Sequence, residues 1–141
     1  MKALFVCNAN VGRSQVAEAL FNQLSGQTAT SAGTRADEAF ARTNPPTRSL
    51  GDAGSAAVPY MREQGVDISE KNRKQLTEEM VQEADKIIVI ADRDTWPDYL
   101  SNSEKVVVWD IQDTRGMGPD SAGPLFDEIK QRVEDLVREI G

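Results

Sequence analysis

The chain has 141 residues, 39% of them hydrophobic and 28% charged, and a formal net charge of -7. That length and balance suit one globular domain with its own core, while the negative charge argues against nucleic acid, whose phosphate backbone needs clustered Lys and Arg. With no histidine and a single cysteine, the commonest zinc ligand and general base are missing, no internal disulfide is possible, and acid–base chemistry falls to carboxylates.

The apolar runs around residues 4–7 and 87–91 are strand-sized and far too short to cross a bilayer. Strand-like residues begin at Ala3 with no leader before them. The expectation is a cytoplasmic protein in a reducing compartment, without membrane, metal or cofactor.

In chain order, residues 2–6 read as a buried strand. Residues 13–24 read as a helix with Val16, Leu20 and Leu24 at fourfold spacing, and Gly26 ends it. Residues 28–32 make a weaker second strand. From 33 to 55 the sequence turns polar, with Asn44-Pro45-Pro46, Gly51 and Gly54, and reads as one long loop of functional length. A helix over 56–64 ends at Gly65, with Pro59 suited only to its first turn. Thr77 is the N-cap of the next helix, with Glu78 and Glu79 in its first turn and Met80, Val81 and Ala84 inward. Residues 86–90 are the clearest buried strand and 105–109 the next. A last helix over 123–140 carries Phe126, Ile129, Val133, Leu136, Val137 and Ile140 as its core stripe. No linker or repeat divides the chain. Strands alternating with helices predict a single three-layer α/β domain over residues 1–141, with a parallel sheet.

The chemistry concentrates in Cys7-Asn8-Ala9-Asn10-Val11-Gly12-Arg13-Ser14, between the first strand and first helix. Open α/β sheets bind ligands at the carboxyl ends of their strands. A turn into a helix N-terminus points several backbone N–H groups, with the positive end of the helix dipole, at one anion. Residues Asn8 to Arg13 supply those amides, Gly12 permits close backbone approach, and Arg13 offers a planar fork to two phosphate oxygens. The same positive field favours a thiolate on Cys7, and the Ser14 hydroxyl can donate to it. Asn10 ties the loop, because Asn tolerates left-handed backbone. Nucleophile, anion cradle and charge clamp together suit a covalent phospho-cysteine. Taken alone, a Cys at a strand end is more often an inert core residue. A nucleotide-binding loop, echoed by Gly12-Arg13-Ser14, needs Gly at the place of Cys7 and Lys at that of Arg13.

These residues resemble the low-molecular-weight protein tyrosine phosphatases and their arsenate reductase relatives. The resemblance extends through Ala17-Glu18-Ala19, Ser31-Ala32-Gly33-Thr34, Gly65-Val66-Asp67-Ile68-Ser69, Gln75-Leu76-Thr77 and Ala84-Asp85, in order over most of the chain. It implies a four-stranded parallel sheet of order 2-1-3-4 with helices on both faces. It also implies Cys7 as nucleophile, Arg13 as transition-state ligand, Asn10 and Ser14 as supports, and a late Asp as general acid. The family places that acid in an Asp-Pro step after the fourth strand. Here the loop reads Trp109-Asp110-Ile111-Gln112-Asp113-Thr114, so Asp113 is the best positional match and Asp110 the reserve.

The aromatic residues that follow the family's Asp-Pro step are replaced by Thr114, Arg115 and Gly116. Phe40, Trp96 or Tyr99 would then line the substrate pocket, and Arg35, Arg42 and Arg48 would draw in a polyanion. The expected function is hydrolysis of phosphotyrosine in a phosphorylated protein, or of a small aryl phosphate. The strongest alternative is arsenate reduction, for which Ser14-Gln15 is reductase-like. With no cysteine after Cys7, that route needs an external thiol or a partner protein. A non-catalytic phosphate-binding module is the third reading.

Overall fold

The computed structural model describes residues 1–43 and 46–140. Asn44 and Pro45, taken above as part of the long loop, lie outside the described residues, as does Gly141. Four strands, β1 (Ala3–Cys7), β2 (Ala29–Gly33), β3 (Lys86–Val89) and β4 (Val106–Val108), form one sheet of order β2-β1-β3-β4. Every pairing is parallel, from Ala3 opposite Ala29 to Cys7 opposite Gly33 on one flank of β1, and from Ala3 opposite Lys86 to Val6 opposite Val89 on the other.

Alternation along β1 and β3 divides the core. Phe5, Cys7 and Ile88 pack with α1 (Arg13–Ser25), α3 (Ala57–Glu63) and α6 (Pro119–Ile140), where Phe5 meets Phe21 and Trp109 at ring separations of 5.8 and 5.9 Å. Leu4, Val6, Ile87 and Val89 face the other way, against Val81 of α4 (Glu78–Glu83) and Leu100 of α5 (Asp98–Ser101). Strands covered on both faces read as unbroken apolar runs, which is why β1 and β3 stand out in the sequence. The fourth strand is shorter than the 105–109 reading and lies at the edge, with Val107 and Val108 exposed.

Helix ends follow local chemistry. Gly26 closes α1 at a φ of 70°, donating its N–H to Asn22 O, and Thr77 caps α4 by accepting from Met80 N at 3.3 Å. The last helix begins at Pro119, earlier than the expected 123, with Pro119 at its first position, where a missing N–H costs nothing, and Pro124 inside it.

Two expectations need correction. The segment read as one loop over 33–55 contains α2 (Ala36–Arg42), which opens with Asp37 and Glu38 and closes with Arg42, charges that complement the helix dipole. Further along the same segment, Leu50 is fully buried, its N–H bonded to Lys71 O. A single 3-10 turn at Arg93–Thr95 and then α5 fill the stretch after β3, for which no helix was expected. Among the described residues no helix is long and apolar enough to cross a membrane.

Candidate active site

At the carboxyl end of β1 the chain turns through residues 8–12 and enters α1 at Arg13. Two backbone bonds fix the start of the turn, Thr34 N to Cys7 O at 2.9 Å and Arg35 N to Asn8 O at 2.8 Å. The adjoining backbone passes so close that a Cβ on Gly33 would stand 2.5 Å from Asn8 O. Asn10, at a φ of 58°, is the one non-glycine residue with positive φ among those described. Short polar side chains tolerate that left-handed conformation when they can bond locally.

The Asn10 side chain is buried and fully engaged. Its Oδ1 accepts from Lys74 N at 2.9 Å and from Gln15 Nε2 at 3.1 Å, while Nδ2 donates to Ser14 Oγ at 2.7 Å and Ser31 Oγ at 3.0 Å. A backbone N–H can only donate, so Lys74 fixes which end of the amide is which. Because Ser14 Oγ accepts from Asn10, its own proton is available to the Cys7 sulfur 2.9 Å away. The thiol therefore rests at the end of a relay that starts in the Lys74 backbone.

Arg13, 3% exposed, spans the mouth of the sheet. Its NH1 donates to Ile90 O after β3 at 2.9 Å and to Ile111 O after β4 at 2.8 Å. Both NH1 protons are consumed there, leaving the Nε and NH2 edge for a ligand. NH2 lies 3.7 Å from Asp113 Oδ1, the oxygen that also accepts from Arg115 N at 3.0 Å. Asn8 and Asp92 exchange two bonds of 2.9 Å, and Ser55 Oγ donates to Val11 O. The loop is thus held from β2, β3, the β4 loop and the segment before α3.

These elements enclose a cleft of about 390 Å³. Cys7, Asn8, Ala9, Val11, Gly12, Arg13 and Asp113 line it, whereas Asn10 and Ser14 are buried behind it. Asp110 is exposed and outside the lining, although Asp113 is inside. The expected aromatic wall does not form. Phe40 lies under the Arg48 guanidinium at 4.0 Å, Trp96 Nε1 donates to Ala91 O, and Tyr99 hydroxyl donates to Leu76 O; none of the three lines the cleft. Arg48 pairs with Asp37 at 3.0 Å outside the lining, while Arg35 and Arg42 do reach it and both approach Glu38, at 3.8 and 2.5 Å.

Sequence reasoning missed Glu38, Asp92, Ser55 and Arg73 in the lining. Asp92 lies just beyond the carboxyl end of β3, where the sheet-edge rule would have found it. Arg73 has no such signal. It is 4% exposed, and burial, with help from Arg48, pulls its guanidinium below the ordinary arginine range. Among the described residues no three His, Cys, Asp or Glu side chains group to hold a metal.

A loop from Cys7 to Arg13 at the carboxyl edge of a four-stranded parallel sheet of order β2-β1-β3-β4, with helices around it, places the chain in the three-layer α/β class. The family model for low molecular weight phosphotyrosine protein phosphatase matches residues 2–141, and the chain belongs to that family. A curated relative, a probable low molecular weight protein-tyrosine-phosphatase EpsP of Ralstonia solanacearum, is 38% identical over 88 residues, 62% of this chain and 53% of the relative. The matched segment thus spans about half the length of the curated relatives. The low molecular weight protein tyrosine phosphatase from T. tengcongensis superposes with a TM-score of 0.80 at 28% identity, covering 99% of both chains. The fold is shared equally by a YwlE arginine phosphatase (TM-score 0.80, 22% identity, 99% of this chain and 95% of that one) and by an arsenate reductase in a phosphate binding state (0.77, 24%, 99% and 98%).

Proposed function

We propose that this chain is a cysteine-dependent phosphatase acting on phosphotyrosine in proteins or on small aryl phosphates. The observation that carries the reading is the convergence on one cleft of the Cys7 thiol, the free edge of Arg13 and the Asp113 carboxyl. With a phosphate in the turn, the amides from Asn8 to Arg13 and the outer Arg13 edge neutralise its oxygens and hold phosphorus in line with Sγ. Cys7 attacks as thiolate; the S–P bond forms as the P–O bond to the leaving group breaks, and Asp113 gives its proton to the departing oxygen. The resulting carboxylate then takes a proton from water, which attacks phosphorus and returns the electron pair to sulfur. The Ser14 hydroxyl, aimed at Sγ, stabilises that sulfur as leaving group.

One observation favours a second reading of the substrate. No aromatic side chain lines the cleft among the described residues, so a phosphorylated group other than a ring, such as the phosphoarginine implied by the name of one structural neighbour, is also admissible. Arsenate reduction remains the alternative, and with one cysteine in the sequence it would draw its second thiol from an external thiol or a partner protein.

The test is steady-state hydrolysis of an aryl phosphate between about pH 5 and 8, with phosphoarginine run alongside. Turnover that vanadate inhibits and that Cys7→Ser lowers by at least about 10³-fold is expected. Phosphate binding without turnover, together with arsenate-dependent consumption of an added thiol, would overturn hydrolysis in favour of reduction.

A further inference from the structure

Five guanidiniums border the cleft, and four are accounted for. Arg13 gives NH1 to two carbonyls and turns its other edge toward Asp113 and the phosphate of the proposed reaction; Arg35 and Arg42 converge on Glu38; Arg115 is exposed to water. Arg73 differs from all of them. It is 4% exposed, its Nε has no hydrogen-bond partner, and no carboxylate pairs with it among the described residues. A second cation, Arg48, acts on it and adds to the cost of its burial. Burying an unpaired cation is costly, and such groups in folded proteins normally have a carboxylate or a set of acceptors.

The backbone prevents an easy escape. Arg73 N donates to Arg48 O at 2.9 Å, Asn72 bridges Ser49, and Lys74 N is the donor that orients Asn10. Arg73 is therefore one residue from the anchor of the catalytic loop, and its side chain lines the same cleft as Cys7. Arg13 and the loop amides already serve the phosphate under attack. A second guanidinium on the same cleft, with its Nε unpartnered, suits further anionic oxygens.

We propose that Arg73 is a specificity-determining residue, whose guanidinium binds a second anionic group, carboxylate or phosphate, carried by the substrate next to the phosphate that Cys7 attacks. The proposal rests on the phosphatase reading for its biological sense. Its test does not.

In a Cys7→Ser background, which prevents turnover, three phosphotyrosyl peptides are titrated that differ only in the flanking residue: Asp, phosphoserine or Asn. The anionic peptides are expected to bind about tenfold more tightly than the Asn peptide, the factor set by one charge-assisted contact. That gap should fall below about twofold on adding Arg73→Gln, and only part of it should remain with Arg73→Lys, which keeps the charge but loses the fork. Melting of the unliganded protein separates this from a structural role: removing an unpartnered buried charge should not lower the midpoint, whereas a guanidinium that merely braces the fold would be missed. Should Arg73→Gln not fold, the Lys variant carries the comparison. Preference for the phosphoserine peptide alone assigns the subsite to a phosphate, and preference for the Asp peptide alone to a carboxylate. Equal affinities in the parent, no binding of any peptide, or a gap that survives Arg73→Gln each overturn the proposal. Absence of aryl phosphate hydrolysis by the wild-type chain, with the gap intact in the Cys7→Ser titrations, would instead remove the phosphatase reading and leave the subsite standing.

Discussion

On one side of the cleft, Asn10, Ser14 and Gln15 are buried and joined in one hydrogen-bonded network, and Arg13, buried beside them, is held by Ile90 O and Ile111 O. On the other side, α2 has one buried residue, Ala36, and its charges pair with each other in water: Glu38 with Arg35 and Arg42, at side-chain exposures of 46 to 67%. The difference is one of stakes. A buried network loses a full desolvation penalty for every partner removed, so it holds a single geometry. Exposed ion pairs contribute little and can be exchanged for contacts with a ligand. One wall thus holds a single geometry around Cys7, and the other can exchange its ion pairs for contacts with a ligand.

Asp113 bridges the two sides, and its removal should produce the largest effect of the predictions made from this contrast. It faces Arg13 at 3.7 Å with a third of its side chain still in solvent. Asp113→Asn is expected to lower kcat for an aryl phosphate by about 10²–10⁴-fold, the usual weight of a general acid. Asp110→Asn, on the exposed face of the same loop, should change it by less than about twofold. Leaving groups of graded basicity sharpen the result, because loss of the acid matters least when the departing oxide is already stable. A flat response to Asp113→Asn across that series would move the acid elsewhere.

Next in size is the buried wall itself. Asn10→Ala strips Ser14, Ser31, Lys74 N and Gln15 of a partner and places Ala at a φ of 58°. The expected cost is about 3 kcal/mol in denaturant unfolding, of which Asn10→Gly recovers about 1 by relieving the backbone. Arg42→Ala on the opposite wall should cost under about 0.5 kcal/mol. Comparable losses from the two variants would show that the walls do not differ as argued.

The same contrast explains what could be read from the sequence. The candidate loop is contiguous, so residues 7–14 could be read as one unit, and β1 and β3 announced themselves through unbroken burial. The exposed wall has no periodicity to read: in α2 only Ala36 is buried, and the prolines and glycines around it dominated the segment. Its helix is supported by Asp37 and Glu38 at one end and Arg42 at the other, signals of a few tenths of a kcal/mol each. Arg73 was illegible for another reason. A charged residue between two elements reads as solvated surface, and only the packing of that strap against Asn10 puts it inside. Phe40, Trp96 and Tyr99 were the reverse case, aromatic residues that satisfied local packing rather than the cleft.

The smallest predicted effect belongs to Glu38, and it tests the adjustable wall directly. Its carboxylate bonds Arg42 NH2 at 2.5 Å and lies 3.8 Å from Arg35 Nε, so Glu38→Gln leaves both cations on the cleft rim without a counter-charge. Stability should fall by less than about 1 kcal/mol, since exposed pairs and first-turn acids are each minor terms. Attraction of a dianionic phosphate should rise instead. A KM two- to threefold lower, by about that factor at low ionic strength, is expected to return toward wild type near 0.3 M salt, where screening closes to roughly 6 Å. An effect that salt leaves untouched would mean that Glu38 contacts the substrate rather than restraining the two arginines, and α2 would then belong with the fixed wall.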